Sequence, residues 1–193
     1  LNIIIVFSIL IYGIWFLTSN KFNTYEIVGY ILSFGIVLGT NGINVAHELG
    51  HRKKRWERTL AKLLLMPAFY MHFYIEHNFG HHMNVGTSKD PATSKKNQTV
   101  FLFWYTSIIG QILNAIRIQK NILKKRNVGF FSIYNDFFYY QLFQLCYLIS
   151  IGYIFNIKGI LFALSIALVG VLLLETINYI EHYGLKRVIR GSR

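Results

Sequence analysis

Residues 27–46 form a run of 20 residues without a charged side chain, and the run delivers His47 at its end. Lipid offers no hydrogen-bond partners, so a segment of that length can bury its backbone only as a helix. Three further runs follow the same rule, at residues 1–17, 137–155 and 159–180, the last broken only by Glu175. The expected fold is therefore an all-α integral membrane protein, a single domain over residues 1–193 with about four transmembrane helices. Residues 47–136 and 181–193 are left as cytoplasmic or interfacial segments.

Within 47–136 the apolar stretches are shorter and carry polar residues. Residues 60–74 hold Lys62, Pro67 and His72 and are expected as one interfacial or protein-covered helix, not a span. Residues 101–116 hold Gln111 and Asn114 and read the same way. Residues 117–126 are basic with an Ile and Leu stripe, which suits a membrane surface. The turn at Asn156-Ile157-Lys158 joins two spans into a hairpin.

Composition adds direction. The chain is 53% hydrophobic with mean hydropathy +0.38, above a soluble domain. Its net charge is +12. Residues 47–136 carry 14 of the 20 Lys and Arg, residues 183–193 carry four, and the two opposite turns carry only Lys21 and Lys158. That bias places 47–136 and 181–193 on the cytoplasmic side. The basic residues interleave with membrane runs and no nucleic-acid motif is present, so nucleic acid is not an expected partner. Cys146 is the one cysteine. It excludes a disulfide framework and reads as a small buried apolar residue.

All seven histidines fall on the cytoplasmic side. His47 and His51 in His47-Glu48-Leu49-Gly50-His51 are spaced i, i+4, one above the other on a helix, so two imidazoles can hold one ion. His77 and His81 repeat the spacing. His82, five residues after His77, falls about 140° round an α-helix and is expected to face a neighbouring ion that His77 and His81 do not reach. Six imidazoles exceed the four ligands of one tetrahedral zinc, so a pair of ions is the natural reading. Glu48, Glu76 and Glu181 adjoin these histidines, where carboxylates accept the spare imidazole N–H and orient the ring. His72 reads as a satisfied polar residue or as a support of the same kind. Imidazole suits Zn, Cu, Fe and Ni, so ligand type alone leaves the metal open.

Three readings compete at this point. His-Glu-x-x-His is also a zinc peptidase signature, with Glu48 as general base, but it leaves Glu76-His77-Asn78-Phe79-Gly80-His81-His82 unexplained. A non-catalytic metal-binding membrane segment is the second. The third rests on a resemblance. The first two motifs, with Asp90-Pro91-Ala92-Thr93-Ser94 and Asn178-Tyr179-Ile180-Glu181-His182-Tyr183-Gly184-Leu185, resemble the integral-membrane alkane 1-monooxygenases. These belong to the histidine-box group that includes membrane fatty-acyl desaturases and xylene monooxygenase.

The resemblance implies a six-helix protein of the bacterial inner membrane with a nine-histidine, non-haem diiron centre on the cytoplasmic side. His47, His51, His77, His81, His82 and His182 would be six of the nine ligands. A last box, Leu-Gln-Arg-His-x-x-His-His, would supply the other three and lies outside residues 1–193, as does the first transmembrane hairpin. An internal fragment is the expectation. The implied reaction is O2-dependent hydroxylation of the terminal methyl of a medium- or long-chain n-alkane, drawn from the membrane lipid, to a primary alcohol. The implied electron source is a rubredoxin, with its rubredoxin reductase. The basic cluster at 52–58 is either a dock for such an acidic donor or plain positive-inside charge.

Overall fold

The computed structural model describes residues 2–187. Helix α1 (Asn2–Ser19) and α2 (Thr24–Val37) form the first hairpin. Asn23 caps α2 through a reciprocal pair of bonds with Glu26, which fixes where the chain turns back into the membrane. The helix then loosens into a π-helical segment, Leu38–Ile43, and tightens again as α3 (Asn44–Gly50). A short amphipathic helix follows, α4 (Arg55–Leu65), and then a compact arm: α5 (Phe73–Glu76), a second π-helical segment (His77–His81) and α6 (His82–Asn84). Two long helices complete the described chain, α7 (Val100–Lys125) and α8 (Asp136–His182).

At about 1.5 Å per residue a straight 47-residue helix would measure about 70 Å, twice the hydrocarbon thickness of a bilayer. α8 avoids this by breaking at Asn156, whose φ of 58° is left-handed. The second half then returns along the first, with Ile160 against Gly152 and Ile14 of α1 against Gly159. The break falls in the turn expected between the third and fourth spans.

The second half of α8 lies against α2 through a seam of glycines. A Cβ on Gly35 would overlap the Val169 side chain, and one on Gly170 would meet the Gly35 carbonyl at 3.3 Å. Backbones this close need glycine, the usual device for pairing helices where no hydrophobic force drives them together. The seam brings the end of α2, and so His47, beside the end of α8, and so His182.

Three expectations change. Residues 60–74 are not one helix, because α4 ends at Leu65 and the chain turns through Pro67 and Phe69, whose φ is 52°. Residues 101–126 are not two segments but one continuous α7, long and apolar enough to cross a membrane. Its buried stripe, Phe103, Ser107, Gln111, Ala115, Gln119 and Leu123, keeps helical i, i+4 spacing and is half polar, so it packs inward by hydrogen bonds. Cys146 is exposed, on the outward face of α8 among Phe143, Leu145 and Ile149, and not buried. No strand occurs among the described residues.

Candidate metal centre

His47 projects from α3 and His51 from the turn that caps it, and His77 and His82 from the arm that follows α4. Their Nε2 atoms converge. His51 lies 3.2 Å from His47, 3.2 Å from His77 and 3.4 Å from His82, and His77 lies 3.0 Å from His82. All four nitrogens fit within 4.8 Å of one another. Four ligands set tetrahedrally about 2.0–2.1 Å from an ion stand about 3.3 Å apart. The quartet therefore fits a single transition-metal ion. The arrangement could hold a metal ion.

The pairing differs from the sequence expectation. His77 and His82 share the quartet, and His81 does not. The cause is the π-helical turn from His77 to His81, in which bonds run i to i+5. His82 backbone N–H returns to the His77 carbonyl, so a residue five positions on falls on the same face. The 140° offset of an α-helix does not apply here.

His81 instead faces His182, their ring centroids 4.9 Å apart. Each has its Nδ1 tied to an atom that can only accept. His81 Nδ1 donates to Asp90 Oδ2 at 3.0 Å, and His182 Nδ1 to the Asn178 carbonyl at 3.0 Å. Acceptor-only partners fix the tautomer, with the proton on Nδ1 and the lone pair on Nε2. Both rings are thus prepared as Nε2 ligands. Two imidazoles are half of a tetrahedral set, so this pair is incomplete as a ligand group where the quartet is complete.

The loop that carries Asp90 is pinned to the end of α8, and this brings His81 to His182. Ser94 Oγ donates to the Tyr179 carbonyl at 2.8 Å, Tyr179 Oη to the Gln98 carbonyl at 2.6 Å, and Gly184 N to the Ser94 carbonyl at 3.0 Å. Gly184 has φ 67° and Gly86 φ 77°, left-handed turns that glycine adopts without strain. Asp90 is itself held by the Ala92 amide at 3.1 Å and the Thr93 hydroxyl. The two distant motifs Asp90–Ser94 and Asn178–Leu185 are one bonded unit.

Burial is uneven across the site: His77 and His81 are buried, His47 is half-buried, and His51 and His82 are exposed. Burial, helped by the neighbouring histidines, pushes His77 down to about 2. Burial and His51 also lower His82. His81 goes the other way: burial opposes its charge, but the bond and charge of Asp90 outweigh burial and raise it. Asp90 is correspondingly held low, its burial outweighed by His81.

The supporting acids divide. Glu48 Oε1 lies 3.3 Å from His47 Nδ1, where an orienting carboxylate belongs. Glu181 lines the cavity beside the histidines without a hydrogen bond to any of them. Glu76 is fully buried and takes its bond from Asn114 Nδ2 at 3.0 Å, not from an imidazole. Burial raises its carboxyl to about 7. His72 is buried apart from the cluster, edge-on to Tyr70 at 4.5 Å, with no partner for Nε2. Burial lowers it to about 3. It stays neutral and reaches no metal-facing histidine.

Two residues have roles that the sequence did not assign, although Asp90 opens a motif already singled out. Asp90 stands nine residues from His81, outside any histidine motif. Glu175, an interruption in a span, is fully buried and accepts from Tyr70 Oη at 3.0 Å, Ser107 Oγ at 2.6 Å and Gln111 Nε2 at 2.8 Å. It ties the arm and α7 to α8 beneath the site. A buried carboxylate with three donors is a satisfied one.

The histidines open on a cavity of about 220 Å³, which continues past Asn44 and Phe73 to Gly39, Thr40, Leu173, Leu174 and Ile177. One end is imidazole and the other lies between the π-helical segment that follows α2 and the apolar face of α8 at Leu173, Leu174 and Ile177.

A family profile described as fatty acid desaturase matches residues 25–192. The chain is 39% identical over 160 residues to alkane 1-monooxygenase 1 of Pseudomonas aeruginosa, covering 83% of this chain and 42% of that protein. It is 35% identical over 182 residues to alkane 1-monooxygenase of Acinetobacter baylyi, covering 94% and 44%. It is 25% identical over 182 residues to the xylene/toluene monooxygenase hydroxylase component of Pseudomonas putida, covering 94% and 49%. The chain thus spans about half the length of the curated relatives it matches.

Proposed function

The chain belongs to the fatty acid desaturase family, and on that premise we propose that it is the metal-bearing part of a membrane alkane 1-monooxygenase. The reaction is hydroxylation of a terminal methyl group of a medium- or long-chain n-alkane to a primary alcohol. The observation that carries the reading is the cavity with imidazoles at one end and an apolar face of α8 at the other. An unfunctionalised alkane offers nothing to hydrogen-bond, so it must be held by shape and apolar contact. That face supplies this within the bilayer, where such a substrate dissolves.

His47, His51, His77 and His82 would hold one iron, and His81 with His182 would contribute to a second. A diiron centre supplies the activation of O2 with two external electrons. The residues of this chain do the rest. Phe73, stacked on His77 with centroids 4.8 Å apart, covers the ring of His77, the one buried member of the quartet. Asp90, Glu48 and the Asn178 carbonyl hold the Nδ1 sides of their histidines and keep the Nε2 sides facing inward. Leu173 and Ile177 stand where an alkane end would approach. The electrons would come from a rubredoxin served by its reductase, and the site would face the cytoplasm of a bacterial inner membrane.

Glu48 weighs against the peptidase reading. It lies behind His47, on Nδ1, and not on the side of the converging nitrogens where a general base would work. The test is product analysis with the full-length protein, its electron donor and O2, offered octane, a fatty acyl substrate and xylene in turn. 1-Octanol as the main product supports the proposal. An unsaturated acyl product or a benzylic alcohol would move the chain to another branch of the same family.

A further inference from the structure

We propose that α4 and the first turns of α1 form a binding site for an anionic phospholipid, with the phosphate at the start of α4 and an acyl chain in the groove beyond it. Two separate observations meet here. The first is charge. Arg52, Lys53, Lys54 and Arg55 are exposed in succession and Arg58 follows. Among the described residues none of these cations has a carboxylate within ion-pair distance. Cations left unpaired at a membrane surface attract anionic headgroups, about five-fold in affinity for each one.

The second is shape. α4 is two-faced, with Ala61, Leu64 and Leu65 buried against the protein. The opposite face carries Trp56, Thr59 and Leu63, and Met66 follows on the same line. Trp56 is 58% exposed and Leu63 37%. That stripe runs into an apolar groove in which Leu63 and Met66 face Ile3, Ile4, Phe7 and Ile11 of α1. Ile3 to Ile11 covers about 12 Å of helix, most of the depth of one leaflet. α1 is a membrane-spanning helix, so whatever fills this groove lies in hydrocarbon. Trp56 sits between groove and cations, at the level where indole rings anchor to the interface.

A soluble acidic protein would satisfy the cations but would leave the groove and the apolar stripe in lipid. A neutral lipid would fill the groove and ignore the cations. A phospholipid with net negative charge uses both.

The test uses the full-length protein in nanodiscs containing phosphatidylcholine doped at equal mole fraction with either brominated phosphatidylglycerol or brominated phosphatidylcholine. Bromine quenches a tryptophan it touches, and subtracting the spectrum of Trp56→Phe isolates Trp56. Quenching of Trp56 by the anionic lipid should exceed that by the zwitterionic lipid at least five-fold. The variant Lys53→Gln/Lys54→Gln/Arg55→Gln should bring the two to parity while retaining its metal content. Equal quenching in the unmodified protein overturns the proposal. So does the absence of quenching by either lipid, which would mean that another protein segment fills the groove. A triple variant that keeps its lipid preference but slows reduction by an acidic donor protein would assign the cations to that donor and also overturn it.

Discussion

The two halves of the candidate metal centre are built on different principles. His47, His51, His77 and His82 converge on one point from two helices, and nothing but imidazole is needed to define it. His81 and His182 meet across a gap, each aimed by a bond behind it, to Asp90 and to the Asn178 carbonyl. The quartet is assembled by local helix geometry within residues 47–82. The pair depends on a contact between residues about 100 positions apart, held by the Ser94 to Tyr179 and Gly184 bonds. A complete set made locally should be the robust one, and an incomplete pair made by long-range docking the sensitive one.

The sharpest way to break that contrast is to remove one ligand from each half of the full-length protein. His77→Ala should cost metal affinity at the quartet more than about 100-fold, beyond what loss of a supporting partner costs, and should abolish hydroxylation. His182→Ala should also abolish hydroxylation yet leave one metal per chain bound. Metal analysis of both variants decides the matter, and equal losses from the two would mean that the halves are not separable. Asp90→Asn should weaken only the His81 side, by about 10–100-fold, because the amide no longer favours the Nδ1–H tautomer. Titration of the second metal measures it.

Glu76 tests the wall behind the centre. Its carboxyl is raised from 4.5 to about 7, so the folded state holds a proton there that the unfolded state has lost. Stability should therefore fall as pH rises from about 4.5 to about 7, by roughly 3 kcal/mol at most, and level off above. Glu76→Gln keeps the bond from Asn114 and should flatten that slope in thermal unfolding of the metal-free protein. An unchanged slope would show that Glu76 is not the group responsible. The smallest effect expected is at Gly80. There an added Cβ would meet Glu76 Oε1 at 2.7 Å and Asn114 Nδ2 at 2.8 Å. Gly80→Ala should destabilise by about 1–3 kcal/mol, the usual range for overpacking, and should lower the melting temperature without changing the metal count.

The same contrast explains what could be read from the sequence. The all-α membrane class, the turn at Asn156 and the clustering of histidines follow from charge-free run lengths and motif spacing, which are local properties, whereas α7 escaped because its polar stripe interrupts the run. The gathering of His47 with His51 was visible because α3 is an ordinary α-helix there. The partner of His82 was not, because no residue in His77-Asn78-Phe79-Gly80-His81 announces a π-turn. The tight space at Gly80 against Asn114 shows why the turn is tolerated, but Asn114 lies on another helix. Asp90 was hidden for a related reason. Its role arises from the docking of its loop on Tyr179 and Gly184, a contact that spacing along the chain does not reveal.

The π-helical turn at His77–His81 has a genetic consequence. Within it, ligand identity is set by a count of residues and not by the residues alone. Loss of the single codon for Phe79 would leave every histidine in place. It would also restore α-helical phase, so that the present His81 would stand three residues after His77 and the present His82 four. The imidazole now facing inward with His77 would still reach it, and the one held by Asp90 would swing off its carboxylate. A one-codon deletion in this arm would thus spare the quartet and cost His81 its orienting carboxylate, a lesion that an inventory of histidines would score as silent.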